Sequence, residues 1–428
     1  MMKAYPEYIN TKFPWLGCVP SEWTICKTSW FFKISMGQTI LKEDLKEDGE
    51  FPVFSATEGD HYFGYVNNPS VLLEKGDLII PARGNSIGAV KLAKEKSTTT
   101  QTTIYCKQLQ QNRILPKYMF YYMKGFRQNL FHFTQTAIPQ ITTTQVGTNP
   151  LIIPSKVEQI SIVRYLDAET YRIDNLIAEK QNFIKLLQEK RQALISHVVT
   201  KGLNSNVEMK DSGVEWIGEI PEHWEVTLLK YQTSKIGSGK TPSGGAEVYQ
   251  EQGIKFLRSQ NVYNDGLRLN DVVYISDEIH YEMRGSKVLA NDVLLNITGG
   301  SIGRTCLAPI DIGEANVNQH VCIIRSKDES FSELLSLIMA STLVSEQVDY
   351  LQTGAGREGL NFVEIGQFKI PLPPKSEWKE IVDHLLLSES KIQCLLEETN
   401  KSIELLKEHR TALISAAVTG KIDVREEM

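Results

Sequence analysis

Arg191-Gln-Ala-Leu-Ile-Ser-His-Val-Val-Thr200 recurs near the end of the chain as Arg410-Thr-Ala-Leu-Ile-Ser-Ala-Ala-Val-Thr419. Working outward, Trp15-Leu-Gly-Cys-Val-Pro-Ser-Glu-Trp23 is echoed by Trp216-Ile-Gly-Glu-Ile-Pro-Glu-His-Trp224. Ser86-Ile-Gly88 is echoed by Ser301-Ile-Gly303, each after an acidic-apolar strand signal, Asp77-Leu-Ile-Ile80 and Asp292-Val-Leu-Leu295. The echoes keep their order and nearly their spacing. The chain therefore reads as a tandem duplication, which suits a protein that handles a two-part object.

The repeated segment ends a long helix in each half. Ser155-Lys-Val-Glu158 is a capping box behind Pro154, and it predicts a helix start at Ser155. Apolar residues follow at Ile162, Leu166, Ile173, Ile177, Ile184, Leu187, Leu194 and Val198, the spacing of one helical face, and Gly202 supplies the stop. The second helix opens after Pro373-Pro374. It carries Ile381, Leu385, Ile392, Leu395, Leu396, Ile403, Leu406, Leu413 and Val418, and stops at Gly420. Helices of this length reach about 65 Å, beyond the width of an ordinary domain. Each apolar stripe needs a partner of matching length, and the other helix is the obvious one, antiparallel and in coiled-coil fashion. Two separate helices, each lying on its own domain, is the simpler arrangement set against this.

The remaining sequence is globular. With 428 residues, 41% hydrophobic and 23% charged, two or more domains are expected. Strand-like runs include Val71-Leu72-Leu73, Asp77–Ile80, Gly88–Leu92 and Thr102–Cys106 in the first half. Ile254–Leu257, Val272–Ile275, Asp292–Asn296 and His320–Ile324 answer them in the second. The expected class is α/β: two globular mixed α/β domains separated by two long antiparallel helices, with a pseudo-twofold internal repeat. The expected division is 1–154, first globular domain; 155–203, central long helix; 204–373, second globular domain; and 374–428, C-terminal long helix and tail.

No signal-peptide pattern or membrane-length apolar run is present, so a cytoplasmic, membrane-free protein is expected. The six cysteines form no C-x-x-C pair, which argues against a zinc site and for reduced thiols. Net charge is −6, unevenly spread: 16 Lys+Arg against 12 Asp+Glu in residues 1–155, and 14 against 23 in residues 208–369. Only the first half could meet phosphates unaided.

No motif asks for catalysis. Gly237-Ser-Gly239-Lys240-Thr241 resembles the end of a phosphate-binding loop, but Ser234 stands where the leading glycine is needed and Pro242 where the helix would start. Asn67-Asn-Pro-Ser70 lacks the second proline and the aromatic of the amino-methyltransferase loop. Polar turns recur instead. Amides reading adenine and arginines reading guanine are the chemistry of base recognition. The candidates are Arg83, Asn85, Lys91, Thr99 and Gln101 in the first half. In the second they are Lys235, Lys240, Thr241, Arg258, Gln260, Asn261, Arg304, Asn318, Gln319 and Arg357. Turn formation alone also suits Gly, Asn and Thr; the case for recognition is that both halves place such clusters in the same order.

Taken together, the Trp216–Trp224 lead-in, the Gly239-Lys-Thr-Pro242 turn, Ile370-Pro-Leu-Pro-Pro374 and the twice-seen helix end resemble the specificity subunit of type I restriction–modification enzymes. The resemblance spans essentially the whole chain. The first half departs more: Ser35-Met-Gly-Gln-Thr39 replaces the Gly-x-Thr-Pro turn, and Leu151-Ile-Ile-Pro-Ser155 the double proline. It implies two target-recognition domains, each reading one half of a split double-stranded DNA site. It implies helices that set the spacing and dock two methyltransferase subunits, with motor-nuclease subunits as further members. Arg191, Leu194, Ser196, Arg410, Leu413 and Ser415, in the repeated helix ends, are the candidates for that docking. The chain itself would be non-catalytic and hold no cofactor; S-adenosylmethionine would sit in the partner. Half-sites on one DNA face would lie about 34–36 Å apart. An acidic second domain would lean on the methyltransferase for phosphate contact. Two other classes stand beside this reading: a methyltransferase or nuclease with drifted motifs, and a scaffold spacing two protein-binding domains.

Overall fold

A computed structural model describes residues 4–57, 59, 61–109, 113–132, 140–353 and 359–425. The chain divides into two compact units, Met1–Gln181 with Asn400–Met428, and Asn182–Thr399. Each long helix gives about half its length to each unit.

Both helices form as continuous elements, Lys156–Lys201 and Lys375–Val418. The capping box closes the first: the Glu158 amide donates to Ser155 Oγ at 3.3 Å and the Ser155 amide to Glu158 Oε2 at 3.0 Å. Ile162, Leu166, Ile173, Ile177, Leu187 and Val198 are buried, as are Ile381, Leu385, Ile392, Ile403, Leu413 and Val418. Ile184, Leu194, Leu396 and Leu406 are half-buried, and Leu395 is exposed. Consecutive residues on a helix point about 100° apart, so only one of two adjacent leucines can face inward; Leu396 does, and Leu395 stays 42% exposed.

Within each unit the two helix segments run antiparallel. In the first, Arg410 pairs with Asp174, while Tyr118 Oη donates to Ile152 O (3.0 Å), just before the first helix, and to Val418 O (3.4 Å), at the end of the second. In the second, Arg191 pairs with Glu389 at 2.7 Å, and Ile195, Val198, Ile381 and Leu385 share one core.

The globular parts repeat strand for strand. In the first unit a four-stranded antiparallel sheet runs in the order Phe32–Met36, Thr103–Gln108, Leu78–Pro81, Lys91–Leu92. In the second the order is Thr233–Ser238, Val321–Ser326, Val293–Asn296, Thr305–Leu307. Beside these lie the three-stranded sheets Gly64–Val66, Phe51–Phe54, Thr98–Thr99 and Val273–Ile275, Ile254–Leu257, Ala315–Val317. Each contains one antiparallel and one parallel pairing. Val71-Leu72-Leu73, expected as a strand, contributes only a bridge from Leu73 to Ser97. Pro69 before it and the Glu74–Asp77 turn after it, where the Asp77 amide donates to Glu74 O at 3.0 Å, leave too few residues for a ladder.

The tryptophan lead-ins explain why both helix ends are alike. Trp23 is buried, and its indole N–H donates to Glu158 Oε1 at 3.0 Å in the first turn of the first helix. Trp224 does the same to Glu377 Oε2, also at 3.0 Å, in the first turn of the second. The six-membered ring of each indole meets the end of the other helix. A Cβ on Gly202 would stand 3.2 Å from the Trp224 ring, and one on Gly420 3.0 Å from that of Trp23. Both glycines have left-handed φ, +73° and +70°, so glycine serves the helix stop and the close approach together.

The structure places the docking candidates as follows. Arg191 and Arg410 are held in the ion pairs above, Leu413 is buried, and Leu194 packs against the core of its unit. Ser196 Oγ accepts from both the amide and the hydroxyl of Thr342 at 2.9 Å. Ser415 O takes the Thr419 hydroxyl at 2.7 Å, as Ser196 O takes that of Thr200. These contacts lie within the unit of each segment.

Replacing Trp224 by Phe removes the donor and keeps most of the apolar volume. A lost hydrogen bond to a half-buried carboxylate costs about 1–3 kcal/mol. Hydrogen exchange on Trp224→Phe is expected to show that loss of protection across residues 182–399 and little change in strands 32–36 and 103–108.

Candidate nucleic-acid interface

The first strand of each four-stranded sheet runs into a Gly-x-Thr turn, Gly37-Gln38-Thr39 or Gly239-Lys240-Thr241. Each glycine lies against a neighbouring backbone: a Cβ on Gly37 would collide with Thr100 O, and one on Gly239 with Val317 O. Backbone bonds lock the turns to the loop that follows the parallel strand. The Gln38 amide donates to Thr99 O and the Gly239 amide to Asn318 O, both at 3.0 Å. Thr39 Oγ1 then donates to Gln101 Oε1 at 2.8 Å, and Thr241 Oγ1 to Gln319 Oε1 at 2.6 Å. These four side chains are exposed. The same hydroxyl–amide pair thus stands at the same edge of both units.

The Gly-rich turns join that edge. The Ala82 amide donates to Thr102 O at 2.9 Å and the Ile297 amide to His320 O at 3.0 Å, setting Arg83 and Thr298 in corresponding positions. Arg83 and Asn85 are exposed beside Gln101's loop. In the second unit the polar groups form a chain. Gln319 Oε1 is taken by Thr241, so its Nε2 donates to His320 Nε2 (3.0 Å); this leaves the neutral ring's proton on Nδ1, which lies 2.6 Å from Thr298 Oγ1. Lys240 is exposed at the start of this chain. In the first unit Gln38 fills the place of Lys240, its Oε1 accepting from Ser70 Oγ and the Val71 amide at 2.6 Å each. Its amide nitrogen thus remains a donor.

Several sequence candidates lie elsewhere. Lys91 is buried at 4% exposure, with Nζ directed at Ser55 O and Thr57 Oγ1. Thr99 is fully buried, donating to Phe54 O at 3.2 Å. Asn261 is buried, accepting from the Arg258 amide and donating to Arg268 O at 2.9 Å each. These three leave the candidate set, because their polar groups satisfy the interior. Asn318 is mostly buried and orders the loop through the His320 amide at 3.0 Å. Lys235 turns back onto Gly285 O at 2.6 Å, and burial and the nearby Arg325 lower its pKa. Arg258 donates to Asp271 O at 3.1 Å and covers Tyr249. Arg304 lies over Tyr263, whose ring Arg268 also covers, at 4.9 and 3.6 Å. Gln260 is exposed, and Arg357 lies outside the described residues. Thr39, Gln38, Thr298 and His320 join the site instead. The signal that finds them is the alignment of one half on the other, which sets Gln101 against Gln319 and Thr102 against His320.

Among the described residues no group of three or more His, Cys, Asp or Glu side chains could hold a metal ion, and no helix is long and apolar enough to cross a membrane. Burial pushes the Cys306 and Cys322 thiols up to about 12 and that of Cys106 higher. All six cysteines are free; Cys18 and Cys394 are exposed.

The model of the type I restriction modification DNA specificity domain matches the chain twice, over residues 20–186 and 221–405. The type I restriction enzyme MjaVIII specificity subunit of Methanocaldococcus jannaschii is 26% identical over 95% of this chain and 94% of its own length. The type I restriction enzyme EcoBI specificity subunit of Escherichia coli is 22% identical over 74% and 68%. A solved structure described as the basis of complex assembly and conformational transition of the type I R-M system shares the fold. Its TM-score is 0.70 at 14% identity, over 94% of this chain and 99% of that one. With both halves matched to the same domain model, the chain belongs to the type I restriction modification DNA specificity family.

Proposed function

We propose that each unit reads one half of a split, asymmetric double-stranded DNA site for a type I restriction–modification complex. The helices set the spacing of the halves and dock two methyltransferase subunits, which carry S-adenosylmethionine and the chemistry; motor-nuclease subunits complete a restriction assembly. The observation that carries this reading is the duplicated Thr–Gln pair with unlike neighbours. Thr39–Gln101 sits beside Gln38, Arg83 and Asn85; Thr241–Gln319 sits beside Lys240, Thr298 and His320. A common frame with different donors and acceptors is what two different base sequences require. Gln101 and Gln319 have their carbonyl oxygens held by threonine, which fixes the amide; Gln101 keeps its nitrogen as a donor, and Gln319 gives one N–H to His320 and keeps the other. Arg83 and Lys240 supply the nearest positive charge for bases or phosphate.

The test is arm-specific. Gln101→Ala and Arg83→Ala are expected to relax the first half-site only, each by about 1–3 kcal/mol of discrimination, and Gln319→Ala the second only. Sequencing of methylated adenines in cells carrying each variant with its methyltransferase reads this out; relaxation of both arms by one substitution contradicts it.

Gly239→Ala is expected to force the turn away from Val317, part Thr241 from Gln319 and abolish methylation at sites requiring the second arm. The first unit's melting transition should be unchanged.

The acidic second half implies weak DNA binding by the chain alone, with phosphate contacts supplied by the methyltransferase. A filter-binding titration should show weak affinity that rises steeply when the partner is added; tight, salt-sensitive binding by the chain alone contradicts this.

A further inference from the structure

A buried polar network lies against the Thr241–Gln319 pair of the second unit. The turn Gly239-Lys240-Thr241 rests on two neighbours: a Cβ on Gly239 would stand 1.6 Å from Val317 O and 3.1 Å from Ser286 Cβ. Val317 ends the strand Ala315–Val317, and the chain runs on through Asn318 to Gln319. Ser286 ends the short helical turn Arg284–Ser286, which follows the helix Asp277–Glu282. One side chain ties these two supports together. Asn316 is fully buried, and its Nδ2 donates to Met283 O at 2.9 Å and to Ser286 Oγ at 3.0 Å. Beside it the Val288 amide donates to Ala315 O at 2.9 Å.

This network fixes the proton of a histidine. Met283 O can only accept, so the end of Asn316 that faces it is the amide nitrogen, and the carbonyl oxygen faces His280. His280 Nδ1 lies 2.5 Å from Asn316 Oδ1, so Nδ1 carries the proton. Ser286 Oγ donates to Met283 O at 2.9 Å and therefore accepts from Asn316. Both N–H groups and the carbonyl oxygen of Asn316 are thus engaged. His280 Nε2 lies 3.7 Å from Glu314 Oε1, an oxygen that Lys287 Nζ also meets at 3.2 Å. A second proton on the ring would sit on Nε2, toward Glu314, and would leave the Nδ1 bond in place. His280 is a donor to Asn316 in either charge state.

The first unit holds the matching loop by other means. The Thr100 amide donates to Phe54 O at 2.9 Å as the Asn318 amide does to Leu257 O at 3.0 Å, which sets Thr98 against Asn316. Thr98 is buried, and its hydroxyl has no hydrogen-bond partner among the described residues. Threonines pin that loop locally: Thr103 Oγ1 donates to Thr100 O at 2.7 Å and Thr99 Oγ1 to Phe54 O at 3.2 Å. We propose that His280 is a positioning residue for the second half-site. By donating to Asn316 it locks the strand Ala315–Val317 to the turn at Ser286, and so sets where Gly239, and with it the Thr241–Gln319 pair, stands. It acts through Asn316 and not by touching a base. The inference rests on the function proposed above.

The experiment expresses the full chain with its methyltransferase as wild type, H280A, H280N and H280Q. Methylated adenines are sequenced at full sites and at sites with one mismatch in either arm. An asparagine amide nitrogen takes the place of Nδ1 and a glutamine amide nitrogen that of Nε2, so only H280N restores the bond to Asn316. H280A and H280Q are expected to cut discrimination in the second arm by about tenfold, the effect of a buried carbonyl left without a donor, with the first arm unchanged. H280N is expected to stay within about twofold of wild type in both arms, because it keeps that donor. A long-range nitrogen–proton correlation spectrum of the histidine-labelled chain should show the neutral His280 ring protonated at Nδ1. A proton on Nε2 overturns the proposal, as does an H280N chain that behaves like H280A. A uniform loss of methylation in H280A with discrimination intact also overturns it, since His280 would then serve stability alone. A wild-type motif with no separable second arm overturns the functional reading and this inference with it. A two-armed wild-type motif that H280A leaves unchanged overturns this inference alone.

Discussion

The interaction on which the rest depends is an indole N–H held by a glutamate in the first turn of a long helix. The start of a helix has amide groups with no partner inside the helix and a partial positive charge. Glu158 answers both: one oxygen accepts the Ser155 amide and the other the Trp23 indole. Glu377 stands in the same place, but Pro374 precedes it and no capping hydroxyl is available; His223 takes the second oxygen at 2.7 Å instead. Through these contacts each tryptophan fixes where one helix starts and, by its six-membered ring, where the other ends. Once both ends are fixed, the sheets have a constant frame from which to present their edges.

That frame made much of the fold legible. Helix length, cap, stop and apolar face all follow from local spacing, and the structure departs from them only at details such as Leu395. The duplicated lead-in and helix end were visible as echoes, but their physical reason was not. They read as a surface shared with a partner. In the structure Arg191, Ser196 and Arg410 are engaged within their units, and each helix end also meets a tryptophan of the same kind. Contacts between residues far apart in the chain, such as Trp23 with Glu158, leave no periodic trace.

The site was legible in part. Arg83, Asn85, Gln101, Lys240, Thr241 and Gln319 lie on the two edges. Lys91, Thr99 and Asn261 do not, because residue type alone does not say which side of a strand or turn a side chain takes. Lys91 sits in a two-residue strand, and a shift of one position would have turned it outward. His320 and Thr298 stand in the polar turns but not among the candidates, because neither resembles a base-reading residue singly; they matter as links in a chain of hydrogen bonds. The two edges share the Thr–Gln pair and differ in its neighbours.

The most direct measurement is the methylation motif of the unaltered chain, expressed with its methyltransferase in a host free of other adenine methylation. The account predicts two unlike arms separated by a fixed run of unspecified bases. A single continuous motif, or two identical arms, would contradict it.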